Sequence, residues 1–128
     1  MKKILYYASV IISVTCYAQM PASRFELSKD LQTTLHEECI QYYSKLDATY
    51  QTIHLKNFNT SNAGYPLQVV MYCKSKKIDL QQLHQINRIV ITVNNGIHSG
   101  ERNGIDASML MCKGFCQGQI VNILLSKL

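Results

Sequence analysis

The run Ile89-Val90-Ile91-Thr92-Val93 constrains this chain most, because five consecutive β-branched residues, four of them apolar, break the alternation that a half-buried strand shows. Such a run predicts a strand buried on both faces, at the centre of its sheet. It closes on Asn94-Asn95-Gly96, a loop signal. Beyond the loop, Ile105, Met109, Cys112 and Cys116 recur at helical spacing. Strand, loop and helix in that order form the first half of an α/β unit, in which ligands gather outside the carboxyl ends of the strands. The segment Asn94 to Asn103, NNGIHSGERN, is therefore the place to look for chemistry.

Upstream, other periods appear. Thr34-x-x-Glu37 reads as a capping box, and Leu35, Cys39, Tyr42 or Tyr43, and Leu46 follow at helical spacing, predicting a helix to about Leu46. Ile53, Leu55 and Asn57 alternate, predicting a short strand. Asn59 to Gly64, NTSNAG, is turn chemistry, and after Pro66 the residues Leu67, Val69, Met71 and Cys73 alternate with Gln68, Val70 and Tyr72. An antiparallel hairpin is predicted. A polar connection from Lys74 to Asn87 follows, with room for one helical turn around Leu80 and Leu83.

The first eighteen residues, MKKILYYASVIISVTCYA, have a basic start, an apolar run and a small residue before Gln19, the layout of a secretory signal peptide. Ile4 to Ala18 is shorter than the roughly 20 apolar residues of a spanning helix and is interrupted by Ser9, Ser13 and Thr15. The expectation is a secreted or periplasmic product of residues 19–128, with no membrane span. The residues before Cys16 lack the usual lipoprotein pattern. The formal charge is +5, or +3 once Lys2 and Lys3 leave with the signal, and Lys74, Lys76 and Lys77 are the one local cluster. That balance is too weak and scattered for a nucleic-acid partner.

Export permits disulfides, but Cys39, Cys73, Cys112 and Cys116 allow three pairings and no spacing selects one. Cys112 and Cys116, four apart on the second predicted helix, read as small apolar residues on a buried face. In the loop, His98 and Glu101 form a His-x-x-Glu pair of zinc-ligand types, kept supple by Gly96 and Gly100. The pattern is common by chance, and a lone loop histidine is usually just solvated. Position singles it out: of the histidines, only His98 has a glutamate at this spacing, and it follows the predicted central strand. His36, His54 and His84 read as ordinary surface or hairpin residues.

The stretch RIVITVNNGIHSGERNGIDASMLM resembles the zinc-binding segment of the M14 family of metallocarboxypeptidases, particularly its secreted bacterial members. TLHEECIQYYSKL, QTIHLKNF, NTSNAG and PLQVVMYCKSK are similar to the family's N-terminal order of helix, hairpin and central strand, so the resemblance covers about Thr33 to Met111. It implies an α/β class, a partial zinc-carboxypeptidase-like fold with a mixed sheet flanked by helices. It also implies a Zn²⁺ cofactor, His98 as first metal ligand, Glu101 as second, and a peptide or protein C-terminus as substrate. Asp106 and Ser108 match the start of the following helix, where a structural role is expected. Gly100 stands where several members have a substrate-contacting arginine, and Arg102, two positions on, does not inherit that role.

The family's third zinc ligand, its carboxylate-holding arginine and asparagine, and its glutamate base all lie beyond that helix and have no counterpart here. The expectation is thus an incomplete, N-terminal part of an M14-like peptidase domain that is inactive alone, with an open apolar edge beside the central strand. The competing expectation is a non-catalytic secreted module in which His98 and Glu101 are remnants or weak metal ligands.

Overall fold

The computed structural model describes residues 20–73, 79–98 and 100–119. The signal-like segment with Cys16, the lysines 74, 76 and 77, and the apolar tail after residue 119 lie outside these. The described elements are α1 (Arg24–Leu27), α2 (His36–Thr49), β1 (Ile53–Thr60), β2 (Pro66–Tyr72), α3 (Leu80–Gln85) and α4 (Asn103–Cys116). The chain is mixed α/β, with four helices beside one two-stranded antiparallel sheet. Among the described residues no helix is long and apolar enough to cross a membrane.

The hairpin follows from its alternation. Ile53 pairs with Tyr72 and Leu55 with Val70, which puts these four on the face turned toward the helices. The register slips between Asn57 and Asn59, and the intervening Phe58 is left exposed. At the turn, Gly64 takes φ +82° and its N–H donates to the Ser61 carbonyl at 2.9 Å.

Helix α2 buries Tyr42, Tyr43 and Leu46 with Cys39 half-buried beside them, the stripe read from the sequence. These meet Ile53 of β1 and Met109 and Cys112 of α4, and together they form the core. The Tyr42 and Tyr43 rings stand edge to face at 5.7 Å. The Tyr42 hydroxyl, buried between helices, donates to the Met109 carbonyl at 3.2 Å, so the phenol tip is not left without a partner.

Several sequence expectations are corrected. The helix start is not capped by Thr34 and Glu37. Leu35 occupies the cap position, and its N–H donates to Glu38 Oε2 at 2.9 Å, which is half a capping box because a leucine side chain has nothing to return. The Thr34 N–H is committed to a tertiary bond instead, donating to Asp106 Oδ1 at 3.1 Å in the interior. A complete capping box forms earlier, at Ser23 and Glu26, and builds α1, which the periodicity did not indicate.

The larger correction concerns Ile89 to Val93. The run is in no strand, and its apolar side chains are exposed: Ile89 89%, Val90 60%, Ile91 82% and Val93 55%. The described sheet is consequently the antiparallel pair β1–β2, not the mixed sheet expected. A strand exists only by hydrogen bonding to a neighbour, and among the described residues none is paired with this run. Its composition reports what needs burial and says nothing about what supplies it.

Candidate functional site

The loop between Val93 and α4 is built on the helix that follows it. Asn95 Nδ2 donates to Ser108 Oγ, one turn into α4. Gly96 adopts φ +69°, a conformation that favours glycine, and a Cβ there would meet Ile105 Cδ1 at 2.9 Å, so the loop turns close against the helix. Gly104 plays the matching part on the helix: a Cβ would come 2.8 Å from Asn95 Oδ1. The loop base is thereby fixed by Asn95, Gly96, Gly104 and Ser108.

Above this base the candidate ligands share one tight turn. The Glu101 N–H donates to the His98 carbonyl at 3.3 Å and the Arg102 N–H to the Gly100 carbonyl at 3.0 Å, with Gly100 at φ +92°. His98 and Glu101 are both exposed. Helix α4 then starts as the N–H groups of Ile105 and Asp106 donate back to the Arg102 carbonyl. Arg102 Nη1 reaches Thr33 Oγ1 at 3.5 Å, a contact toward the start of α2 rather than toward the loop tip.

Asp106 has the structural role expected of it. It is 3% exposed and accepts the Thr34 N–H through Oδ1, joining the start of α4 to the start of α2. Its Oδ2 and the Thr34 hydroxyl are buried without a hydrogen-bond partner among the described residues. Ser108 proves to be the loop's anchor. Asn95 was read only as part of a loop signal and Gly104 was not singled out; the one signal that could have found them is that a polar side chain in a short loop leading into a helix needs a partner on that helix and room to reach it.

Cys112 lies in the core, with Cys39 and Cys116 packed against it. Burial, with smaller contributions from Asp106 and Cys112, pushes the Cys39 thiol up to about 11. Burial also raises Cys112, partly offset by a hydrogen bond with Tyr43, and pushes Cys116 up to about 11. Thiols held protonated in this way pack as small apolar groups, as expected for Cys112 and Cys116.

A catalytic zinc takes three protein ligands and keeps a fourth position for water. The imidazole of His98 and the carboxylate of Glu101 fit two of those positions in donor chemistry, in exposure and in sharing one turn. Among the described residues no group of three or more histidine, cysteine, aspartate or glutamate side chains converges on a point where a metal could be held. No protein-family model, curated protein or solved structure matches the chain.

Proposed function

We propose that this chain carries the metal loop of an exported zinc-dependent metallocarboxypeptidase of the M14 type, with His98 and Glu101 as its first two ligands. The observation that supports the reading most is the loop itself: an exposed His-x-x-Glu turn whose base is clamped to α4 by Asn95 and Ser108, with both glycines at positive φ. A clamped base lowers the ordering cost of bringing imidazole and carboxylate to one point.

In this reading His98 and Glu101 bind and orient the ion, and Asp106, through its bond to Thr34, holds the helix against which their loop is clamped. Bound zinc would supply Lewis-acid polarisation of the scissile carbonyl and a more acidic water. Glu101, as a ligand, is not free to serve as the base as well. A third ligand and a base have to come from residues other than those described around this turn. The absence of a three-ligand cluster among the described residues favours, for the chain taken alone, the second reading of a non-catalytic module with a weak metal site.

Titration calorimetry with Zn²⁺ on the full chain tests the assignment. Weak binding is expected, lost for the most part in His98→Ala and in Glu101→Ala and retained in Cys112→Ser and Cys116→Ser. The reverse pattern would move the site to the cysteines and end the proposal. In the same samples, zinc-dependent release of C-terminal amino acids is expected to be undetectable. Its appearance, and its loss in His98→Ala, would show that the 128-residue chain completes its own site and would remove the second reading.

A further inference from the structure

The segments Tyr72-Cys73 and Phe115-Cys116 lie side by side where the end of β2 meets the last turn of α4. The Tyr72 and Phe115 rings are stacked, with centroids 4.6 Å apart and planes inclined by 19°. Each aromatic residue is directly followed by a cysteine. Both cysteines then lie against the same residue: the Cys73 N–H donates to the Thr52 carbonyl at 2.9 Å, and the Thr52 side chain sits beside the Cys116 thiol. Both are partly exposed, unlike Cys112, and both are free thiols. Of the cysteines among the described residues, this neighbourhood brings Cys73 and Cys116 together.

We propose that Cys73 and Cys116 are a disulfide-forming pair that staples the hairpin to α4 when the chain meets a small-molecule disulfide oxidant. The thiolate of Cys73 attacks one sulfur of the oxidant, forming a mixed disulfide and releasing one small thiol. The thiolate of Cys116 then attacks the Cys73 sulfur, forming the protein disulfide and releasing the second small thiol. The two protons leave the protein thiols and end on the released ones, and the two electrons reduce the oxidant. The bond closes a loop spanning most of β2-to-α4, so it constrains the unfolded chain more than a local link would. The inference is independent of any metal at His98.

The test is incubation of the full, native chain with oxidised glutathione at mildly alkaline pH, followed by digestion without reduction and mass spectrometry of the cross-linked peptides. A Cys73–Cys116 link should predominate, and the oxidised chain should lose part of its Tm on reduction. That loss should be absent from Cys73→Ser and from Cys116→Ala. Predominance of Cys112–Cys116 or of any link through Cys39 would overturn the pairing. Persistent glutathione adducts on Cys73 and Cys116 without a link would also overturn it, showing that the thiols are accessible but too far apart. So would the absence of any reaction under these conditions.

Discussion

Asp106 shows how much a single buried acceptor holds. Its Oδ1 takes the Thr34 N–H, a main-chain donor that has no helical partner because it precedes α2, and the pair is closed off from water. Replacing Asp106 with alanine leaves that donor buried and unpaired, a loss of about 1–3 kcal/mol. Asparagine keeps a carbonyl oxygen in the same place to accept that N–H, so Asp106→Asn should cost less. Urea unfolding of the two variants measures the order. Equal losses would mean that the carboxylate, rather than the acceptor, is what the site requires. The same residue explains why Thr34 failed as half of a capping box: a backbone N–H committed to a partner 72 positions away is not available to Glu37.

Among the elements, α1 is held to α4 by one ion pair. Lys113 Nζ lies 2.6 Å from Glu26 Oε1, with both side chains largely but not fully covered. Burial by itself would raise the Glu26 carboxyl, and the Lys113 hydrogen bond, the Ser23 N–H and the lysine charge outweigh it, so the group sits below its ordinary value of 4.5. A lowered carboxyl adds stability that is present above the ordinary value and is lost as pH falls through the folded one. Acidification below about 4.5 should therefore release α1. Lys113→Met should remove about 1 kcal/mol at neutral pH, less at high salt, and should flatten that acid dependence, as followed by thermal melts across pH.

Legibility in the sequence also divides by element. The stripe Cys39, Tyr42, Tyr43, Leu46 and the alternation after Pro66 are local patterns, and α2, β1, β2 and α4 appear where those patterns put them. The short turn around Leu80 and Leu83 is α3. Ser23-x-x-Glu26 and Thr34-x-x-Glu37 carry the same capping pattern, and only the first becomes a complete box, because the second competes with Asp106. At the loop, the identity of His98 and Glu101 is visible as a motif. The contacts that give the turn its base, Asn95 to Ser108 and Gly96 to Ile105, join residues whose proximity exists only once α4 has packed back.

At the scale of the whole molecule, the run Ile89 to Val93, unpaired among the described residues, is the feature with the largest consequence. β-branched residues with no proline or glycine, exposed as these are, are the composition that pairs edge to edge with another chain. Arg88 is the single charge beside it, and one charge at the end of a five-residue run does little to prevent pairing. The core, by contrast, is drawn from α2, β1 and α4 and includes none of these five side chains. The two facts together give a prediction that separates association from stability. Ile91→Lys puts a charge at the centre of the run on a side chain that is 82% exposed, so the unfolding free energy should change by no more than about 0.5 kcal/mol. Self-association should fall sharply, read as a loss of the concentration-dependent increase in mass by light scattering or sedimentation. A large drop in stability would mean that the run is buried by part of the chain after all, and unchanged association would place the sticky surface elsewhere, with exposed Phe58 and Leu67 of the hairpin the next residues to replace.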